Sequence, residues 1–432
     1  MVQLIQSPDP AVVDDLAQLI DVDEARKRIL SAFAPLPGID LPIGASLGLV
    51  LTEDVLAVAD LPPFANAAMD GFAVRVADTL GARRDAPLSL RVIGEAPAGH
   101  PTHLSVECGT AVRIMTGAPV PTGADAVVRF EETDESLGLG SIEGAGATTI
   151  GIFRSARDGE NIRPRGEDIR AGSTALTAGT RLRPAEIGVL AALGRGTVSV
   201  YRRPRVAILA TGDEIVGTGV APQPGQIWDS NSAMVAALVQ RYGGEPLVLG
   251  IARDTVDAVQ AKLWEADGTD LLVTTGGVSV GDYDVVKHVL RREGRVELWQ
   301  VRLKPGKPLA FGWIGDRPLI GLPGNPVAAA IAFEQFVRPA LLTMMGRTDL
   351  AFPTVIARLT ERVENRGGRR HFVRVRVETR EEGYIARLAG PQGAGILTSL
   401  LRANGLLIIP EAVASAEAGT CWTVQMLDWN VA

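Results

Sequence analysis

Two lysines stand three positions apart in the segment RLKPGKPLAFG, which covers residues 302–312. A proline follows each lysine and stiffens the backbone, while the glycine between them allows the chain to turn. A lysine ammonium is a compact point charge that suits a tetrahedral oxyanion. Lys304 and Lys307 therefore predict an anion-binding site. A solvated β-turn is the alternative interpretation if the segment acts alone.

Glycine-rich loops follow two of the predicted strands. TTGGVSVGD (274–282) and GLPGNP (321–326) both lead into predicted helix starts. The free backbone N–H groups and the helix dipole at such starts favour a phosphate. The candidate substrate-binding residues at the strand ends are Thr211, Gly212, Gly276, Gly277, Ser279, Gly324 and Asn325. Glycines after parallel strands also serve packing alone, so each loop by itself leaves both interpretations open.

Carboxylates accompany these loops. They are Asp213, Glu214, Asp254, Asp282 and Asp284. Carboxylates beside a bound phosphate repel it unless a hard cation lies between them, and Mg²⁺ prefers oxygen ligands of this kind. The sequence therefore predicts a phosphate site in which Mg²⁺ bridges the phosphate and members of this acidic set. Each aspartate taken singly could instead cap a helix.

The elements that position these groups alternate regularly between about 203 and 347. Unbroken apolar strands such as RVAILATGDE and DLLVTTGG alternate with helical segments such as DSNSAMVAALVQRYGG and TVDAVQAKLWEAD. This alternation predicts a doubly wound parallel sheet, whose ligands bind beyond the carboxyl ends of the strands. Asn325 and Pro326 are expected as N-cap and first residue of the helix that follows GLPGNP.

The flanking regions follow other patterns. Residues 22–33 and 184–194 predict helices, and they bracket a block of short β-like runs divided by glycine and proline. The segment from about 350 to 432 alternates apolar and polar residues, which predicts a small β-barrel or sandwich. The fold class is thus multidomain α/β plus β, with a β-rich inserted domain and a barrel-like C-terminal domain.

Composition narrows the functional class. The chain has 432 residues, a net charge of −7 and two cysteines. This mildly acidic balance argues against a nonspecific nucleic-acid binder, and two distant cysteines argue against a disulfide framework. We found no unbroken apolar run long enough for a membrane span and no signal peptide, so we expect a cytoplasmic protein without a membrane partner.

With these motifs assembled, the chain resembles the MoeA family of molybdopterin molybdenumtransferases. Relatives in this family include the C-terminal domain of gephyrin and the E domain of the plant molybdenum-cofactor protein. The resemblance spans about residues 20 to 430. Its motifs are PPFANAAMDGFAVR (62–75), RIMTGAPVPTGADAVV (113–128), NIRPRGEDIRAG (161–172), ATGDEIV (210–216), TTGGVSVGDYD (274–284), KPGKPLAFG (304–312) and GLPGNPVAA (321–329).

The resemblance implies an activity and an assembly. Adenylylated molybdopterin and molybdate would give molybdenum cofactor and AMP, with Mg²⁺ required. The subunit would be elongated and form a homodimer with clefts between subunits. Molybdopterin adenylyltransferase and molybdoenzyme maturation factors are further implied partners. The implied domains are a discontinuous N-terminal domain (15–58 and 158–202), the inserted domain (59–157), a molybdopterin- and nucleotide-binding α/β domain (203–347) and a C-terminal domain (348–432).

The resemblance also assigns residues by motif. The expected catalytic residues are Asp70, Thr116, Asp168, Glu214, Asp254 and Asp284. Of these, Glu214, Asp254 and Asp284 are also the expected Mg²⁺ ligands. The expected molybdate-binding residues are Lys304, Lys307, Pro308, Arg369 and Ser399. The motif match for Arg369 leaves Arg366 and Arg370 as neighbouring alternatives.

Four positions depart from the pattern of many relatives. Ala67, Ala328 and Ala394 stand where serines are common, and Gln300 stands where some relatives carry a basic residue. Loss of hydroxyl donors around an oxyanion would weaken its binding by about 1 kcal/mol for each donor. These departures leave the molybdate affinity, and the preference for molybdate over tungstate, open. Two other functions stand beside the molybdenumtransferase: a non-catalytic scaffold like gephyrin's domain, and an adenylyltransferase acting on molybdopterin with ATP.

Overall fold

The computed structural model describes residues 19–137, 149–277, 289 and 296–427. The predicted helix VVKHVLRREG lies, apart from one residue, outside them. The chain divides into two compact units. The first contains Met1–Asp40, Gly48–Thr52 and Ser199–Ala432, and the second contains Leu41–Leu47 and Glu53–Val198. The four-domain division expected from the sequence stays a prediction.

The described chain begins with helix α1 (Val22–Leu30). Asp21 is its N-cap and accepts a backbone hydrogen bond from the first turn. Val22, Ala25 and Ile29 are buried on one face of the helix, as the periodicity of the sequence predicts.

The second unit is rich in β-structure. The elements from the end of α1 to residue 201 are β1 (Gly38–Pro42), β2 (Val55–Leu56), β3 (Asn66–Ala67), β4 (Gly71–Val74), β5 (Leu88–Ala96), β6 (Thr110–Ile114), β7 (Ala126–Arg129), β8 (Thr149–Ile152), β9 (Ile162–Arg163), β10 (Thr174–Leu176), helix α2 (Pro184–Ala192) and β11 (Thr197–Tyr201), with 3₁₀ turns at Ile43–Ala45, Val76–Thr79, Phe130–Glu132 and Asp134–Leu137. Strands β7, β4, β6, β5 and β8 form one sheet in that order. Gly71 is required in β4, because a Cβ there would lie 2.0 Å from the carbonyl oxygen of Val128.

The first unit contains the predicted α/β region. Its elements are β12 (Arg205–Thr211), β13 (Ile215–Val216), β14 (Ile227–Trp228), α3 (Ser230–Arg241), β15 (Glu245–Ala252), α4 (Val256–Trp264), β16 (Leu271–Thr275), β17 (Val296–Gln300), β18 (Leu303–Lys304), β19 (Pro308–Ile314), β20 (Arg317–Leu322), α5 (Pro326–Ala332), a π-helical turn (Phe333–Val337) and α6 (Arg338–Met344). The main sheet has the order β15-β12-β16-β20-β19-β17. The first four strands are parallel to one another. Strand β19 is antiparallel to both of its neighbours, β20 and β17. The predicted parallel sheet is therefore confirmed, with two further strands joined to it by antiparallel pairing.

Side chains of β12 alternate between the two faces of this sheet. Ile208 belongs to one buried cluster with Val235 of α3, and Leu209 belongs to another with Val259 of α4. Because both faces of the strand are covered by helices, its sequence is apolar throughout rather than alternating. This arrangement confirms the predicted doubly wound architecture.

The segment Pro326–Met344 is the one helical stretch of the described chain long and apolar enough to span a membrane by length and composition. In the structure 94% of its most apolar window is buried inside the protein. It contributes Ile331, Phe336 and Leu341 to the core between the sheet and α1. This burial identifies it as a core helix of the α/β region.

The C-terminal region closes into a barrel. Its elements are β21 (Thr354–Leu359), β22 (Val363–Glu364), β23 (Arg370–Arg380), β24 (Gly383–Leu388), α7 (Leu397–Arg402), β25 (Gly405–Ile409), β26 (Ser415–Ala416) and β27 (Cys421–Met426). The order β23-β24-β21-β27-β25 returns to β23, which confirms the predicted barrel. Strand β18, from the two-lysine segment, pairs with β23 and joins the barrel to the α/β region.

Candidate functional site

A cavity of about 640 Å³ lies at the carboxyl ends of the parallel strands in the first unit. Loops after β12, β16 and β20 contribute to its wall, as expected for an open α/β sheet. The predicted substrate-binding residues that line it are Thr211, Gly212, Gly276, Gly277, Gly324 and Asn325. Ser279 lies outside the described residues, and its role stays a prediction.

Gly276 shows why the loop after β16 needs glycine. Its φ is +87°, and a Cβ there would lie 2.7 Å from the carbonyl oxygen of Thr211. A side chain would therefore be strained by both backbone conformation and contact. The loops after β12 and β16 approach so closely because this residue has no side chain.

Two helix N-termini contribute to the cavity wall. Asp229 is the N-cap of α3 and accepts a hydrogen bond from the backbone N–H of Ser232 (2.9 Å). Asn325 is the N-cap of α5, with Pro326 as the first helical residue, as the sequence predicts. Asn231 Nδ2 donates to the carbonyl oxygen of Gly324 (2.7 Å), which ties the two helix starts together. Sequence reasoning missed Asn231, although the DSN triplet resembles a helix start.

Acidic groups lie in the same cavity. Glu214 and Asp254 line it directly. The backbone N–H of Asp213 donates to Asp254 Oδ2 (3.4 Å), and the N–H of Asp254 donates to Asp213 Oδ1 (3.3 Å). Burial raises the pKa of Asp254, and the charges of Asp213 and Glu214 raise it further. A cation would relieve this crowding of like charges.

The donor set fits Mg²⁺. Magnesium usually takes one or two protein carboxylates together with phosphate oxygens and waters, so Glu214 and Asp254 are a sufficient protein contribution. Within the described residues, no group of three or more acidic, histidine or cysteine side chains is arranged to hold a metal. The predicted third ligand, Asp284, lies outside them, as does Asp282.

The two lysines occupy different surroundings. Lys307 and Pro308 line the cavity together with Glu214 and Asp254. Lys304 is not part of that lining; it lies on β18, in register with His371 of the barrel strand β23. Gly306, at a φ of +115°, allows this change of direction. The structure therefore brings one predicted cation to the cavity and the other to the barrel.

Basic side chains collect around Lys304 in the barrel. Arg374 is completely buried, and its Nε donates to Ser399 Oγ (3.1 Å). Both ring nitrogens of His371 and Nη1 of Arg374 lack a hydrogen-bond partner within the described chain. Burial lowers the pKa of His371 to about 3, with further lowering by Lys304, Arg374 and Arg369. Burial also lowers the pKa of Lys304.

This cluster refines the motif assignment. Ser399 was predicted from the sequence, but Arg374, which contacts it, was not. Arg369 influences Lys304 and His371 through its charge. The signal for Arg374 was its position within the apolar run HFVRV, where the strand buries the arginine side chain.

The second unit contains the remaining predicted residues. Asp70 Oδ1 accepts hydrogen bonds from the backbone N–H (2.6 Å) and the Oγ1 hydroxyl (2.7 Å) of Thr116. These bonds lower the pKa of Asp70. The structure thus brings two of the three predicted residues together. Asp168 is exposed, and its backbone N–H donates to the carbonyl oxygen of Leu61 (3.0 Å).

Two of the four departures fall at the cavity. Ala328 and Ala394 both line it, and the backbone N–H of Val327 donates to the carbonyl oxygen of Ala394 (3.1 Å). Ala67 is buried in β3 of the second unit, and Gln300 ends β17. The alanines at 328 and 394 therefore line the same cavity as Lys307.

The fold is that of an α/β protein, extended by β-domains, with a cavity lined by glycine-rich loops, two carboxylates and Lys307 at the strand ends. Three family models match it: the MoeA N-terminal region (domain I and II) over residues 20–194, the probable molybdopterin binding domain over 207–343, and the MoeA C-terminal region (domain IV) over 356–427. The chain belongs to the MoeA family.

Relatives match along nearly their full length. Molybdopterin molybdenumtransferase 2 of Mycobacterium tuberculosis is 40% identical over 95% of this chain and 99% of its own. The molybdopterin molybdenumtransferase of Bacillus subtilis is 36% identical over 94% of each chain. The solved molybdopterin biosynthesis MoeA protein from Pyrococcus horikosii superposes with a TM-score of 0.80 at 33% identity, covering 95% of this chain and 99% of that one.

Proposed function

We propose that this chain is a molybdopterin molybdenumtransferase, which inserts molybdate into adenylylated molybdopterin and releases AMP. The observation that carries the proposal is the shared cavity, in which Lys307 lies with the carboxylates of Glu214 and Asp254 and with two glycine-rich loops. The substrate requires this combination, because it brings a phosphoanhydride and a mineral dianion to one place. Relatives that match nearly the whole chain carry the same name.

In this proposal the loops bind and orient the adenylyl phosphate. Gly276 and Gly324 allow the substrate's phosphate to approach the backbone, and the starts of α3 and α5 offer N–H groups. Glu214 and Asp254 would hold Mg²⁺, which neutralises phosphate charge and eases cleavage of the phosphoanhydride. Ser279 and Asp284 complete the proposed phosphate and metal set.

Lys307 and Pro308 are proposed to bind molybdate at the cavity. The barrel cluster of Lys304, Arg374 and Ser399 is proposed as a second part of the oxyanion path, because its buried donors include unpaired nitrogen atoms. Such donors cost free energy unless an acceptor meets them. Arg369 is also proposed to bind molybdate, because its positive charge acts on Lys304 and lowers the pKa of that lysine.

The remaining parts of the proposal rest on motif matches. Asp70, Thr116 and Asp168 are proposed to act in catalysis, and the chain is proposed to work in the cytoplasm as a homodimer with the four domains given above. Light scattering on the purified chain tests the assembly. A mass near 45.5 kDa, that of one chain, would contradict the dimer.

The activity itself is tested by reconstitution. Purified chain, adenylylated molybdopterin, molybdate and Mg²⁺ are mixed, and released AMP and inserted molybdenum are measured. We expect both products in equal amounts. Absence of both, with a correctly folded protein, would contradict the proposal and favour a scaffold. Consumption of ATP with free molybdopterin would instead favour an adenylyltransferase.

A further inference from the structure

One wall of the cavity is apolar and faces the polar loops. Ile215, Ile227 and Trp228 all line the cavity, and the last two are largely exposed, at 58% and 54%. An indole half open to a polar cavity leaves apolar area in water without packing to account for it. This wall offers a flat hydrophobic surface beside the proposed phosphate site.

The backbone holds the tryptophan in a fixed position. Strand β14 pairs in parallel with β13, placing Trp228 opposite Val216. The N–H of Ile227 donates to the carbonyl oxygen of Glu214 (2.8 Å), and the N–H of Asp229 donates to that of Val216 (2.9 Å). The indole is therefore tied on one side to the loop that bears Glu214 and on the other to the start of α3.

The polar atom of the indole is already used. Trp228 Nε1 donates to the carbonyl oxygen of Val220 (2.7 Å), which fixes the orientation of the ring. With Nε1 bonded in this way, the remaining surface of the indole is apolar. Such a surface suits a planar nitrogen heterocycle, because ring stacking is favourable for every base regardless of its substituents.

We propose that Trp228 is a specificity-determining platform that stacks against the planar ring of the substrate. The inference rests on the proposed function, in which the adenylyl phosphate lies beside Glu214. Adenine and pterin are the two planar heterocycles of that substrate, and either ring could stack on the indole. The phosphate contacts determine where the substrate binds. Stacking on Trp228 adds affinity for a ligand with a planar ring and none for a sugar phosphate without one.

The test compares ligands with and without a ring. Binding of AMP, ribose 5-phosphate and 6-hydroxymethylpterin is measured by calorimetry with Mg²⁺ on wild type, Trp228→Ala and Trp228→Phe. Trp264→Ala is the matched control, since Trp264 is 68% exposed and does not line the cavity. We expect Trp228→Ala to weaken binding of the ligand whose ring stacks on the indole, AMP or 6-hydroxymethylpterin, about tenfold and binding of ribose 5-phosphate less than twofold. Trp228→Phe should stay within about threefold of wild type, and Trp264→Ala should change nothing.

The ligand arms identify the ring. Selective loss of AMP affinity supports stacking on adenine, and selective loss of pterin affinity supports stacking on pterin. Unchanged affinity for both rings, or equal loss of AMP and ribose 5-phosphate, would overturn the inference. If Trp228→Ala binds both rings like wild type and still releases AMP with molybdenum insertion, the platform is wrong while the proposed function stands.

Discussion

Asn231 Nδ2 donates a hydrogen bond of 2.7 Å to the carbonyl oxygen of Gly324, so the first turn of α3 is joined directly to the loop after β20. Both residues line the cavity. The other end of the same amide, Oδ1, is buried and has no hydrogen-bond partner within the described chain. The contact joins the starts of α3 and α5, both of which line the cavity.

Replacing the Asn231 side chain should weaken binding at the proposed phosphate site. Asn231→Ala removes the donor to Gly324, and we expect AMP affinity to fall about tenfold while thermal stability falls by only about 1 kcal/mol. Calorimetry and thermal melts measure the two effects. Unaltered AMP affinity would show that the contact has no part in positioning the loop.

Gly276 offers a test of the close loop approach. Gly276→Ala places a methyl group 2.7 Å from the carbonyl oxygen of Thr211 at a φ of +87°, so we expect a loss of about 2 kcal/mol in stability and loss of AMP binding. Gly315→Ala is the control, because it also has positive φ but no atom within 4 Å of the added Cβ. A similar loss of AMP binding in both variants would refute the steric explanation.

The substitution Ala328→Ser tests whether a hydroxyl group at this position strengthens oxyanion binding. Ala328 lies next to the turn at Gly306. A Cβ placed on Gly306 would be 3.6 Å from the Cβ of Ala328. We expect Ala328→Ser to tighten molybdate binding about fivefold, because a hydroxyl donor adds about 1 kcal/mol. Ala330→Ser, on the same helix but outside the cavity lining, should have no effect. Molybdate titration by calorimetry decides; equal effects of the two serines would contradict the assignment.

Glu334 should make stability depend on pH. It is buried in the π-helical turn, where both carboxylate oxygens lie within hydrogen-bond distance of the Tyr242 hydroxyl (3.0 and 2.8 Å), and burial raises its pKa to about 7. Between its ordinary pKa near 4.5 and this value, the native state holds a proton that the unfolded state has lost. Its stabilising contribution is therefore complete below that window and is lost as pH rises through it.

Glu334→Gln should remove this dependence. Relative to wild type, the variant should gain up to roughly 3 kcal/mol in unfolding free energy between pH 4.5 and pH 8. Denaturant titrations of both proteins across this range measure the gain. A difference between them that does not change with pH would contradict the raised pKa.

The sequence predicts the central strands of the α/β region well, because burial on both faces leaves a clear pattern. Strands such as β12 and β16 are covered on both faces, so their apolar runs are distinct and their ends locate the loops. Strands β17 and β19 were missed, because they form antiparallel pairings that the regular alternation of strands and helices does not contain. The β19–β20 pairing depends on the turn at Gly315, and the β17–β19 pairing spans the segment that bears the two lysines.

The parts of the candidate site that directly follow strand ends were predictable from the sequence. The parts that depend on pairing between strands distant in sequence were not. The glycine loops and the carboxylates follow strand ends, so their meeting at one cavity follows from topology. The separation of Lys304 from Lys307 depends on the pairing of β18 with β23, which no local pattern reveals. The burial of Arg374 likewise arises only when the barrel closes around it.

The most direct test of the account measures oxyanion and nucleotide binding separately in two variants. Lys307→Ala should raise the KM for molybdate at least tenfold and leave AMP affinity within twofold. Asp254→Asn should weaken Mg²⁺-dependent AMP binding and leave the KM for molybdate nearly unchanged. The KM for molybdate is measured with the full chain in the AMP-release assay with adenylylated molybdopterin, and AMP affinity is measured by calorimetry with Mg²⁺. Equal losses of molybdate and AMP in both variants would contradict a cavity that divides its cation and its carboxylates between two ligands.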